Sequence, residues 1–319
     1  MENKFNKRYK YILIDSVNLF YKVCSTKDEN IALISQKEVY KNSICNFIKE
    51  VEYLVSRYLE FGGTVYLLFD NYFSRADLQT AFTFSTRKSL DESYKKTRKK
   101  ENRPFYQSLN FIRYYYVSGP DTYKVVRIDG LEADDLVGPF IDNILEDDTC
   151  LLVTNDLDWS KYMSPKVDWL PKLGENPQSI EELSDILGFN VDCCNIVIYK
   201  ALFGDPSDNI QSIISKNSES FKEFKKIILN ISRPEDLVYE SRNIDKDIDC
   251  VHKAVKENEC QYLINCQLVS SITCDYSVFE KNTECGHNNI TLIKTLREAI
   301  GLDQSSKKYE FGSIKKIRK

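Results

Sequence analysis

Three carboxylates fall within four residues, Glu132, Asp134 and Asp135, in the run Gly130-Leu-Glu-Ala-Asp-Asp-Leu136. Acids this close repel one another unless a cation neutralises them. Oxygen ligands with no histidine or cysteine among them suit a hard ion, Mg2+ or Mn2+. Acids in a first helical turn also complement the helix dipole, which accounts for one or two of the three. The rest of the chain decides between these readings, because Asp15, Asp70, Asp156, Asp158 and Asp208 each stand at the end of a short apolar run or in a polar turn.

The elements that must position these acids can be read from hydropathy. Lys10–Ile14, Thr64–Phe69, Tyr123–Arg127 and Thr149–Thr154 read as buried strands, with Val167–Leu170 at an edge. Apolar residues at helical spacing run from Gln36 to Phe61, with Gly62-Gly63 as the stop. A second helical run, Leu136 to Leu145, follows the acid triplet. Strand and helix in alternation predict an α/β fold with a parallel sheet. Ligands of such a sheet bind outside the carboxyl ends of its strands. Asp15, Asp70, Glu132, Asp156 and Asp158 each follow a strand at that end. With Asp134, Asp135 and Asp208, eight carboxylates are expected on one rim. Two divalent ions about 4 Å apart on such a rim would activate a water and stabilise the leaving oxygen of a phosphodiester.

Composition sets the outer bounds. The 319 residues suffice for one large or two medium domains. No apolar run has the length of a membrane span. The first residues carry no apolar signal region, so a cytoplasmic protein with reduced thiols is expected. Cys250-x-His252 and Cys285-x-His287 could supply four zinc ligands, although the spacing is not that of a zinc finger; free thiols are the alternative. The net charge of −4 argues against a nucleic-acid partner, but its distribution does not. Between Arg87 and Arg103 there are eight basic residues, including Arg87, Lys88, Lys95 and Arg98, against three acids. Phe82, Phe84, Tyr94, Phe105 and Tyr106 are interleaved. Cations with aromatic rings suit a single nucleic-acid strand. A solvated charged helix would have a similar composition, but residues 74–118 interrupt the α/β alternation at a length that points to function. Beyond Ser179 the pattern is helical to about Gly301, with Gly188 and Gly204 ending two helices. The polar turn Asp205-Pro-Ser-Asp-Asn209 comes next, and residues 302–319 form a basic tail.

The chain resembles the 5′ nucleases: flap endonucleases, phage 5′ exonucleases and phage RNase H, and the 5′-nuclease domains of bacterial DNA polymerases. The resemblance rests on Ile14-Asp15-x-x-Asn18, Leu68-Phe69-Asp70, Tyr94-Lys95-x-x-Arg98, Gly130-Leu-Glu-Ala-Asp-Asp135, Thr154-Asn-Asp-Leu-Asp158 and Tyr199-Lys-Ala-Leu-Phe-Gly-Asp-Pro-Ser-Asp-Asn-Ile210, in the family's order. It implies a PIN-like nuclease domain over residues 1–178, with 74–118 as its helical arch or clamp. A helical, helix-hairpin-helix-like duplex-binding module would span 179–301. It further implies two or more Mg2+ or Mn2+ ions, with Asp70, Glu132, Asp134, Asp156 and Asp158 as ligands and Asp15, Asp135 and Asp208 as supporting metal-site acids. Asp205 is a weaker candidate. Lys95 and Arg98 would contact the scissile phosphate, Tyr94 would stack on a base, and Asn18 would orient Asp15. The sequence departs from the family after Asn209, where Ile210 to Ser220 contains no glycine; this puts the usual duplex-gripping hairpin and its monovalent cation in doubt.

The activity implied is that of a structure-specific 5′-3′ exonuclease or flap endonuclease, with RNase H-type primer removal, acting in DNA replication and leaving 5′-phosphate ends. Its substrates would be branched or nicked DNA and RNA–DNA duplexes with a free 5′ end. The protein would act as a monomer, with the basic tail as a docking segment for replication proteins. A PIN-like ribonuclease would share the acids but not the arch or the Asp205–Asn209 turn. A non-catalytic DNA-binding scaffold would tolerate missing acids, and none is missing.

Overall fold

The computed structural model describes residues 7–24, 36–70, 91–95, 103–244, 248–272 and 274–302. A six-stranded sheet organises the chain, in the order β5-β4-β1-β2-β3-β6. The strands are β1 (Tyr9–Asp15), β2 (Leu59–Leu68), β3 (Tyr123–Val126), β4 (Cys150–Val153), β5 (Val167–Leu170) and β6 (Thr283–Cys285). The first five are parallel, and β6 adds antiparallel to β3. Their side chains alternate between two cores, as a sheet covered on both faces requires. Ile12, Ile14, Val65, Leu67, Val125, Leu151 and Val153 feed one. Leu13, Tyr66, Leu68, Val126, Leu152 and Trp169 feed the other.

Helices α1 (Ser16–Val23), α2 (Gln36–Tyr58) and α3 (Arg103–Ser118) contribute to the first core. The second lies under α4 (Val137–Asn143) and a run of helices that continues it without a break. These are α5 (Ile180–Leu187), α6 (Cys193–Phe203), α7 (Ser218–Ile227), α8 (Pro234–Asn243), α9 (Cys250–Glu257), α10 (Glu259–Val269) and α11 (Tyr276–Lys281). Phe140 shows how the layers lock. Its ring meets Tyr11 and Tyr66 edge-on at 5.2 and 4.9 Å, and truncating such a buried ring costs about 3–5 kcal/mol.

Four sequence expectations are corrected. Gly62-Gly63 do not stop a helix: α2 ends at Tyr58 and the glycines lie within β2. There β2 bulges, because Tyr9 pairs with Leu59 but Tyr11 with Thr64. A Cβ on Gly63 would lie 2.7 Å from the Lys10 carbonyl oxygen, so only glycine fits. The acid triplet does not form the first turn of the helix that follows it: Asp134 and Asp135 lie in a short 3₁₀ turn, Ala133–Leu136, and the expected helix begins after it as α4. Residues 103–118 are the crossover helix between β2 and β3 rather than part of an insertion, since Leu109, Ile112 and Tyr116 fill the core under α2. Finally, the chain returns to the sheet at β6. Helix α12 (Ile290–Ile300) then packs Ile293, Leu296 and Ile300 into the core beneath α2 and α3. Arg87, Lys88, Arg98 and the basic tail beyond Leu302 lie outside the described residues.

Candidate metal centre

Strand order reverses at β1: the chain builds outward through β2 and β3, then crosses back to β4 and β5. The crevice beyond the carboxyl ends of β1 and β4 is therefore the expected binding place. An open cleft there is lined by Asp15, Asp70, Glu132, Asp134, Asp156, Asp158 and Asp208, together with Asn18, Tyr21 and Lys95. Seven of the eight expected carboxylates thus meet, although nearly two hundred residues separate the first from the last.

Local hydrogen bonds aim them. Asp15 ends β1 and caps α1, its Oδ1 accepting from the Asn18 backbone N–H at 2.9 Å. Thr154 ties the two strands at the reversal point: its hydroxyl donates to Asp15 Oδ2 and accepts from the Asp156 N–H, both at 3.1 Å. Asp156 Oδ1 in turn accepts from the Asp158 N–H at 3.0 Å. Asp70 Oδ1 accepts from the Ala133 N–H at 2.7 Å, which fixes the acid triplet against β2. The Asn18 side chain pairs with Asn155, so it is the Asn18 backbone that holds Asp15.

Asp135 stands apart from the cleft lining. It is fully buried, and both its oxygens accept backbone N–H groups, from Glu132 at 3.0 Å and Ile272 at 2.8 Å. It closes the turn that presents Glu132 and Asp134. Tyr94 also departs from its expected place. Its ring is buried, and its hydroxyl donates to Asp208 Oδ2 at 3.2 Å, so it presents no open face to a base. The exposed ring at the cleft is Tyr21, 47% exposed and backed by Phe105 at 4.7 Å.

Two lysines neutralise part of the charge. Lys95 Nζ lies 2.6 Å from Glu132 Oε2 and 3.5 Å from Asp208 Oδ2. Its backbone is left-handed, with φ of 52°, held by its N–H donating to the Asp208 carbonyl at 2.9 Å. Lys200, on α6, pairs with Asp158 and, at 2.6 Å, with Asp205. Burial alone would depress its pKa, but Asp158, Asp156 and Asp205 outweigh that and raise it. Among the described residues these two cations do not suffice. Burial, followed by repulsion from Asp156 and Asp134, pushes Asp15 up to about 7 despite two donors. Burial and the neighbouring Asp15 and Glu132 do the same to Asp70, and burial and Asp158 to Asp156, each to about 7.

Among the described residues no three acids already stand at the spacing that encloses an ion. The lysines hold three of the seven cleft acids, Glu132, Asp208 and Asp158, as counter-charges instead, and Lys200 also holds Asp205. The donor set nonetheless fits a hard divalent cation: the acids supply only oxygen, and their charge exceeds what the lysines balance. A zinc site at Cys250, His252, Cys285 and His287 does not form among the described residues. Among the described residues no cysteine forms a disulfide, Cys285 Sγ accepts from Lys124 Nζ at 3.0 Å, and His252 Nδ1 pairs with Asp249 at 2.6 Å.

Sequence reasoning assigned no role to Lys200 or Tyr21. Lys200 lies on the last turn of α6, five residues before Asp205, a spacing that could have marked it. Tyr21 shares a face of α1 with Val17 and Asn18, one turn beyond Asp15.

A family model for the 5′-3′ exonuclease, N-terminal resolvase-like domain, matches residues 10–185. No curated protein matches the chain by sequence. Among solved structures, the 5′-exonuclease of bacteriophage T5 with bound zinc ions aligns with a TM-score of 0.58 at 18% identity, over 93% of this chain and 97% of that one. The bacteriophage T5 flap endonuclease in a pseudo-enzyme–product complex with DNA and metal ions gives 0.58 at 17%, over the same shares. The catalytic core of Rad2 in complex with DNA substrate gives 0.54 at 11%, over 95% of this chain and 91% of that one. At these identities the likeness establishes the fold.

Proposed function

The chain belongs to the 5′-3′ exonuclease family, whose N-terminal resolvase-like domain spans residues 10–185, and from that premise we propose that it is a structure-specific 5′ nuclease dependent on divalent ions held in the acid cleft. The observation that carries this reading is the meeting of seven carboxylates from five chain segments beyond the carboxyl ends of β1 and β4. Mg2+ or Mn2+ ions bound there would lower the pKa of a water and stabilise charge on the phosphate and the leaving oxygen.

The protein's own part is to place charge. Asp70, Glu132, Asp134, Asp156 and Asp158 would hold the ions, with Asp15 and Asp208 completing the cleft and Asp135 shaping the turn beneath it. Lys95 reaches the acids from the side of the expected arch, so its ammonium would meet the scissile phosphate and steady its developing charge. Arg98, three residues on, would act beside it. Tyr21, an exposed ring at the cleft, offers a stacking surface to a terminal base, worth about 1–3 kcal/mol. Residues 179–281, the helical run, would grip the duplex, and Arg87 and Lys88 would meet its single-stranded branch.

The substrate class proposed is branched or nicked DNA, or an RNA–DNA duplex, with a free 5′ end. A gel assay comparing 5′-labelled flap, nicked, hybrid and single-stranded substrates tests it. The account expects cleavage of flap or hybrid with Mg2+, none with EDTA, and none by Asp156→Asn. Equal cutting of unstructured RNA, with no preference for a branched 5′ end, would instead indicate a ribonuclease.

A further inference from the structure

The turn that carries Asp208 is held within itself through Asp205, whose Oδ1 accepts from the Ser207 N–H at 2.9 Å and hydroxyl at 2.6 Å. No glycine occurs between residues 205 and 220, and Asn209 is left-handed with φ of 63°. The turn closes through reciprocal backbone bonds between Asp205 and Ile210, at 3.0 and 2.9 Å. It presses so closely on the end of α6 that a Cβ on Gly204 would lie 2.7 Å from the Ile210 oxygen. A further anchor comes from another helix. Asn265, on α10, is fully buried, and its Nδ2 donates to the Ala201 carbonyl at 2.9 Å and the Gln211 carbonyl at 2.8 Å. Both partners can only accept, so the amide orientation is fixed. Oδ1 accepts from Gln261 Nε2 at 2.9 Å. Ala201 lies in the last turn of α6, whose carbonyls have no partner within the helix. The amide therefore fastens that helix end to the turn beyond Asp208, beside the bonds from the Ile213 and Ile214 N–H groups to the Leu202 carbonyl at 3.0 and 3.3 Å.

One turn beyond Asn265, α10 ends and the chain reaches the second acid-bearing turn. Just beyond Val269, the Ser271 hydroxyl shares a hydrogen bond with the Tyr162 hydroxyl at 2.5 Å, and Tyr162 donates to the Asp134 carbonyl at 3.2 Å. The Ile272 N–H donates to Asp135. One helix thus fastens the Asp208 turn through Asn265 in its carboxyl-terminal half and the Asp134–Asp135 turn through the residues just beyond its last turn.

We infer that α10 is a brace setting the distance between the two acid-bearing turns of the cleft, with Asn265 as its positioning residue. The inference rests on the metal reading of that cleft. Asn265 touches neither ion nor substrate. It acts through the turn on Asp208, and through the Asp208 carbonyl on Lys95.

The test uses the full-length protein with Asn265→Leu, which keeps the branched shape and removes both donors. Calorimetric titration with Mn2+ alone should show affinity reduced by about tenfold, the usual scale for a residue that orients ligands. On a 5′-flap duplex kcat should fall by a similar factor with KM within about twofold. Without any metal, amide exchange over residues 205–214 should accelerate by about tenfold or more while β1 is unchanged. If Asn265→Leu does not fold, Asn265→Asp replaces it. There an ionised carboxylate faces two carbonyls, and protonation restores one donor, so its kcat relative to wild type should rise as the pH is lowered from about 8 to about 6. Wild-type Mn2+ affinity, kcat and exchange in a folded Asn265 variant would overturn the brace. Failure of the wild-type protein to bind Mn2+ would refute the metal reading, and the exchange result would still decide the brace.

Discussion

The two rims of the sheet each bury aspartates, and they treat them differently. At the amino-terminal side, Asp168 of β5 accepts from the Tyr9 hydroxyl at 2.6 Å and from Lys7 Nζ at 2.7 Å. One acid meets one cation and one hydroxyl, and Tyr9, buried beside it, is pushed well above its ordinary range. At the carboxyl-terminal side, about 20 Å away along β1, seven acids share two lysines among the described residues. There Asp15, Asp70 and Asp156 are driven up to about 7. Burial of a carboxylate is thus not a functional signal in itself. The signal is burial of more negative charge than the protein neutralises, because folding must bear that repulsion unless a ligand relieves it.

Exchanging single residues between these roles should break the contrast most visibly in catalysis. Asp156→Asn is expected to lower kcat on a 5′-flap duplex by about a thousandfold or more. Asp168→Asn should leave kcat near wild type and lower stability by about 1–3 kcal/mol, read as a fall in Tm. Comparable losses of kcat in both variants would mean that the rims do not differ in kind. Next in size is Lys95→Ala, where loss of a cation at the phosphate should cost about a hundredfold in kcat. Lys7→Ala, on the opposite rim, should cost none.

Acidity sharpens the comparison further. Protons and divalent ions compete for the same carboxylates, so apparent Mn2+ affinity should rise by at least about tenfold as the pH is raised from about 6 to about 8. An affinity flat across that range would contradict the raised values. The smallest effect is on stability in EDTA. The folded pKa of Asp70, about 7, lies above its ordinary 3.8. Its favourable contribution is therefore fully present below about 3.8 and lost as the pH rises through about 7. At about pH 8 Asp70→Asn should thus stabilise the metal-free protein by about 1 kcal/mol, while Asp168→Asn destabilises it. Thermal unfolding of the pair distinguishes the two signs.

Asp15, Asp70 and Asp156 were legible because each closely follows a run of four or more apolar residues, and strand polarity then fixes the rim on which it lies; Glu132 and Asp134 were legible as a cluster and Asp208 as part of a polar turn. Asp135 was legible as an acid but not as a turn-closing residue, since its partners, Glu132 and Ile272, are chosen by tertiary contact. Strand β6 could not be read, because Thr-Glu-Cys carries no apolar alternation and pairs only through β3. Lys200 and Asn265 lie on helices where burial, not residue type, separates a working side chain from a solvated one. Gly62-Gly63 resembled a helix stop because a bulge and a stop both favour glycine.

Anomalous diffraction from crystals grown with Mn2+ tests the central claim most directly. The account predicts manganese peaks within about 2.2 Å of oxygens from the group Asp70, Glu132, Asp134, Asp156 and Asp158, beyond the carboxyl ends of β1 and β4. Peaks confined to other surfaces, with the cleft acids held only by Lys95 and Lys200, would contradict it.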